Sequence, residues 1–131
     1  MAVKQASINS ASDFQPSQIL CLEHENARLY AEVIQIVTSR CLCWVRPLML
    51  MVVSDASDLL PPMAPYDLRY SADLLWPIAF FRAALDTEVI PLLTQLDSPE
   101  TQISDPTAAN KRLNSFIRQV WQADPSAFQP S

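Results

Sequence analysis

The sequence predicts an α+β fold: an N-terminal helix, a small antiparallel sheet of two strands, then two or three C-terminal helices. An all-α arrangement is the alternative. Three observations lead there. Apolar residues recur at spacings of three and four across 17–38, 78–96 and the segment after Pro106, the period of a helix with one buried face. Apolar and polar residues alternate across 66–76, the period of a half-buried strand. The chain has no glycine, and its eleven prolines punctuate it instead.

The first sixteen residues are small, polar and aperiodic, and read as a flexible arm. Ser17, after Pro16, is placed to cap a helix running to about Thr38. Its stripe is Ile19, Leu22, Asn26, Leu29, Val33 and Ile36, widened by Tyr30, Ile34 and Val37. Glu23, Glu25, Arg28, Glu32 and Gln35 fill the opposite face, so the helix docks on a core by one side. Residues 41–53 are apolar on both faces after Pro47 and suit a strand covered on both sides, with an edge or bulge where Pro47 lacks a ladder donor. A short buried helix is the competing reading.

Residues 54–65 hold three prolines and two aspartates and read as a loop. In the next segment Tyr66, Leu68, Tyr70, Ala72, Leu74 and Trp76 share one face of a strand, or of two short strands turning near Ser71. Asp67, Arg69, Ser71 and Asp73 take the other face. Pro77 then suits the first position of a helix carrying Ile78, Phe81, Leu85, Val89, Leu92 and Leu96. Pro91 kinks that helix, or the helix ends near Leu85 and restarts with Asp86 as cap. The Asp105-Pro106 pair opens the last helix, with Ala109, Leu113, Phe116, Ile117, Val120 and Trp121 as its inner stripe. The globular domain is thus 17–124, followed by a flexible tail at 125–131.

Composition narrows the function. Average usage would supply about nine glycines, and without any the chain cannot carry a dinucleotide loop, a phosphate loop or a nucleophile elbow. Nine cations against fourteen carboxylates give a net charge of −5. That balance disfavours nucleic acid and anionic lipid, which need clustered lysine and arginine. The longest apolar run is interrupted by Arg46 and Pro47 and falls short of the roughly 20 residues a spanning helix needs, so no membrane insertion is expected. The first eighteen residues lack a secretory h-region. An odd count of three cysteines implies no disulfide framework, and a cytoplasmic protein is the simplest reading.

Chemistry-bearing residues are few. Cys21-x-x-His24 and Cys41-x-Cys43 could together offer three sulfurs and an imidazole to zinc, although the spacing matches no common zinc template. The same thiols could serve redox chemistry. Equally, the cysteines are small buried hydrophobes and His24 is solvated beside Glu23 and Glu25. Asp67, Asp73, Asp86 and Glu88 surround the best-patterned region and are candidates for a small carboxylate enzyme. Asp67 with Arg69 also reads as an ion pair, and Asp86 as a cap. Lys111, Arg112 and Arg118 form the one basic cluster, which a solvated helix face explains as well.

The apolar excess weighs most. Trp44, Leu59, Leu60, Met63, Tyr66, Tyr70 and Trp76 offer more apolar and aromatic surface than a small core needs, and such side chains are enriched at interfaces. The sequence therefore points first to a non-catalytic protein–protein interaction module: an adaptor, assembly factor or regulatory subunit acting with a protein partner or as a homo-oligomer. No cofactor is expected on this reading.

The stretches LEHENARLYAEVIQIV, CWVRPLMLMV, DLLWPIAFFRAALDTEVIPLL and LNSFIRQVW resemble small uncharacterised proteins common in cyanobacteria. The likeness covers about residues 20–122. It implies a cyanobacterial cytoplasmic setting and an accessory role around photosynthesis or its regulation, and carries no site residue with it.

Overall fold

A computed structural model describes residues 14–52, 65–97 and 106–124. Over the described residues it is α+β, but built differently from the sequence expectation: a six-stranded antiparallel sheet followed by two helices, with strands in place of the helix expected over 17–38. Strand β1 (Ile19–His24) and strand β2 (Ala27–Val37) form a hairpin in the segment expected to be helical. The physical reason is visible in the residues. Val33, Ile34, Ile36 and Val37 are β-branched and fit a pleated surface better than a helix. Leu20, Leu22, Leu29, Ala31 and Val33 are all buried at period two. The Glu25-Asn26 turn that joins the strands puts Glu25 at φ 53°, a conformation normally supplied by glycine.

Strand β3 (Leu42–Val52) follows a 3-10 turn at Thr38–Arg40 and pairs along β2. Two irregularities adjust it. The partner shifts from Met49 to Pro47 between Tyr30 and Ala31, leaving Leu48 as the extra residue. A second shift between Val33 and Gln35 leaves Ile34 extra on β2. The first bulge accommodates Pro47 and turns Leu48 and Met49 to the same face.

The alternating segment does not make one strand. Its ends form β4 (Tyr66–Asp67) and β5 (Leu74–Pro77), separated by a turn in which Ser71 N donates to Leu68 O at 2.9 Å. Both lie along the outer edge of β3, β4 against Met49 and Leu50, β5 against 42–45. Nor does Pro77 open a helix. It ends β5, a 3-10 turn spans Ile78–Phe80, and β6 (Phe81–Ala83) returns to pair with β1 on the far edge. Burial of Ile78 and Phe81 in the core holds this path.

Helix α1 (Asp86–Asp97) starts only after Leu85. Glu88 accounts for that start: its Oε2 accepts from Leu85 N at 2.8 Å, the reciprocal half of a capping box. Pro91 lies on the exposed side of the helix and removes one backbone donor there. Helix α2 (Pro106–Ala123) buries Ala109, Leu113, Phe116 and Val120, while Trp121, expected inside, is half exposed.

The helices cover opposite faces of the sheet. Helix α2 packs with Leu20, Leu22, Leu29, Val33, Cys43, Val45 and Trp76. Helix α1 packs through Val89, Leu92, Leu93 and Leu96 on Cys21, Tyr30, Leu48 and Met49. Among the described residues no helix is long and apolar enough to cross a membrane.

Candidate functional site

The α1 helix covers only part of its sheet face. Side chains alternate along a strand, so the register partners Gln35, Trp44 and Leu75 point away from Ile36, Cys43 and Trp76, which face α2. They share the sheet face that α1 packs on, and no α1 residue lines the cleft they form. Trp44 is 40% exposed and Leu75 56% exposed. With Val37, Asp73 and Leu74 they line an open cleft of about 460 Å³.

Trp44 is held in a defined orientation. Its Nε1–H donates to Asp73 Oδ2 at 3.1 Å, and Arg46 Nε lies 4.0 Å from Asp73 Oδ1. Across the strands Arg46 stands opposite Glu32. The cleft is therefore an oriented indole and aliphatic side chains, bordered by two carboxylates and one guanidinium. It can bury apolar surface and recognise charge, but it holds no nucleophile or acid–base pair.

A second polar cluster fastens α1 to the sheet. Arg82 Nη1 and Nη2 donate to Glu88 Oε2 and Oε1 at 2.8 and 3.0 Å. Tyr30 OH donates to Glu88 Oε1 at 2.7 Å, and Arg82 Nε to Glu23 Oε1 at 2.8 Å. Arg28 Nε completes the chain 3.2 Å from Glu23 Oε2. The Arg82 guanidinium pulls the Glu88 carboxyl down to about 2, and the same guanidinium lowers Glu23. Burial, then the bond to Glu88, raises Tyr30. A carboxylate so held is a fixed anion at neutral pH rather than a proton donor.

Asp67 is engaged comparably by Arg69. Arg69 makes a bidentate contact with Asp67 at 2.9 Å on each oxygen and reaches Asp97 Oδ1 at 2.8 Å. This joins β4 to the end of α1, and the Arg69 bonds lower Asp67. Asp86 opens α1, and Asp73 orients Trp44. The structure does not gather Asp67, Asp73, Asp86 and Glu88 into one cleft.

Nor does it bring the thiols and His24 together. Cys21 is buried under α1, while Cys43 is buried on the α2 face. His24 stacks edge-on near Phe116, ring centroids 6.3 Å apart. Cys41 is exposed at the end of the 3-10 turn, and all three thiols are free. Burial raises both Cys21 and Cys43 to about 11, so neither carries thiolate at neutral pH. Among the described residues no group of three or more His, Cys, Asp or Glu side chains could hold a metal ion.

Of the apolar residues singled out in the sequence, Trp44 lines the cleft and Tyr70 is 83% exposed. Tyr66 is half-buried against the core and Trp76 is buried in it. Leu59, Leu60 and Met63 lie outside the described residues. Gln35, Val37 and Leu75 were missed as site residues. Leu75 carried a signal, since it breaks the polar side of the alternation. Gln35 and Val37 could only be placed once 27–37 was a strand.

No known protein family matches the chain, and no curated protein or solved structure matches it either.

Proposed function

We propose that this protein is a non-catalytic interaction module that docks a protein segment on the sheet face around Trp44. The observation that supports the reading is the half-covered face itself. An oriented, exposed tryptophan beside an exposed leucine is the kind of anchor that dominates protein interfaces. Covering Leu75 and the free part of Trp44 contributes on the order of 1 kcal/mol per side chain, since each is already about half covered. Among the carboxylates singled out in the sequence, Asp67 serves an ion pair, Glu88 an ion pair and a helix cap, and Asp73 the indole N–H, which favours docking over catalysis.

Native mass spectrometry of the full chain purified from its source cells tests this. A species above 14.7 kDa is expected for the wild type. It should be lost in Trp44→Ala and kept in Leu85→Ala, which changes an exposed leucine outside the cleft. A bare monomer in the wild type, or a complex indifferent to Trp44, overturns it.

A further inference from the structure

Charge is distributed unevenly over the molecule. Helix α2 carries three of the nine cations, Lys111, Arg112 and Arg118, and none of the fourteen carboxylates. Its buried stripe faces the sheet, so the opposite side is directed to solvent. There Lys111, Ser115, Arg118, Trp121 and Gln122 recur at helical spacing, all exposed. The outward side of α2 is thus a cationic strip with a half-exposed indole, Trp121, at its end.

The Trp44 cleft complements that strip. Its lining holds one carboxylate, Asp73, and a second, Glu32, stands on the neighbouring strand opposite Arg46, the one cation placed beside them among the described residues. An indole face accepts a guanidinium or ammonium group by cation–π attraction, best of all at tryptophan. The area that no described residue covers spans β2, β3 and β5, about 10 Å across three strands, which is the width of one helix. Helix α1 already occupies the adjoining half of the same face, so a helix laid over Trp44 would complete a layer rather than start one.

We infer that the occupant of the Trp44 cleft is the α2 helix of a second copy of this chain. The inference rests on the docking role of the cleft proposed above and names its partner. Cleft and cationic strip lie on opposite faces of the sheet, so the contact is head-to-tail. Each copy keeps one free cleft and one free helix, and association continues into open chains rather than closing as a dimer. Because the attraction is largely between exposed charges, salt screens it.

Sedimentation velocity on the full-length protein tests this in three parts. The wild type should grow past dimer with concentration at about 50 mM salt and weaken at least about tenfold at about 500 mM. Trp44→Ala, and separately the pair Lys111→Glu and Arg118→Glu, should each be monomeric. Mixed together, these two variants retain one good cleft and one good helix between them, and should form a one-to-one pair that grows no further. Leu75→Ser serves as a second cleft variant, and circular dichroism checks that each variant is folded.

A wild type that stays monomeric up to about 1 mM, the range of only about 4 kcal/mol of association, overturns the inference. So does a mixture that fails to pair, which is the mark of a two-fold interface or of a different occupant. If a foreign protein is lost from the native spectrum on Trp44→Ala while the wild type alone stays monomeric, the docking role stands and self-association falls. If neither is seen, both fall.

Discussion

Arg82 grips Glu88 through two hydrogen bonds, at 2.8 and 3.0 Å, and so joins strand β6 to the first turn of α1. Glu88 also accepts from Tyr30 OH and Leu85 N. One carboxylate thus connects β2, β6 and the helix start. Replacing it with Gln keeps the shape but loses the charge-assisted bonds. Glu88→Gln should lower unfolding free energy by about 2 kcal/mol, as lost hydrogen bonds to a charged group do. A urea titration measures it. Arg82→Lys should lose much of the same, since lysine cannot reproduce the fork.

The pH dependence follows from the direction of the Glu88 shift. Its folded value is lowered from 4.5 to about 2. The contribution is therefore fully present above the unfolded value and is lost as pH falls through about 2. Glu23 and Asp67 are shifted the same way by Arg82 and Arg69. Stability should decline on the acid side below about pH 4.5, and Glu88→Gln should flatten that decline. An acid limb of equal steepness in the variant would show that Glu88 is not responsible.

Cys41 sits in the left-handed region at φ 56°, ψ 38°. A side chain there costs about 1–2 kcal/mol, which glycine avoids while losing part of the gain to unfolded-chain entropy. Cys41→Gly should raise stability by about 0.5–1 kcal/mol. Cys41→Val, β-branched at the same site, should reduce it. Thermal melts of the two variants should move in opposite directions.

The three thiols should divide sharply by reactivity. Cys41 is exposed, whereas Cys21 and Cys43 are fully buried with thiols raised to about 11. An aromatic disulfide reagent at neutral pH should titrate one thiol in the folded protein and all three in denaturant. Rapid reaction of a second thiol in the native state would mean that one helix lifts readily from the sheet.

The sequence was most legible where one period had no rival. Helix α2 follows from its stripe of Ala109, Leu113, Phe116 and Val120, whereas the apolar run of 41–53 left strand and short buried helix both open until its pairing with β2 made it β3. The N-terminal hairpin was misread because Leu22, Leu29, Val33 and Ile36 satisfy a helical spacing as well as they mark a strand. Asn26, counted on the helical stripe, is in fact in the turn, and no glycine marked the reversal at Glu25. The 78–85 segment misled for a related reason. Ile78, Phe81 and Leu85 suit a helix, yet Ile78 and Phe81 are fixed by tertiary burial in a 3-10 turn and a short strand. Trp44 was legible as an interface candidate by residue type. Leu75 showed only as the break in the polar side of the alternation, and Gln35 not at all, because cross-strand register is a property of the assembled sheet.

The most direct test of the docking face is the indole N–H signal of Trp44, observed by nitrogen-15 NMR as the complex forms. Trp44 is tied to Asp73 and lines the open cleft, while Trp76 is buried beneath α2. The Trp44 signal should shift or broaden on binding and the Trp76 signal should hold its position. A complex that forms with the Trp44 signal unmoved would contradict a docking role for this face.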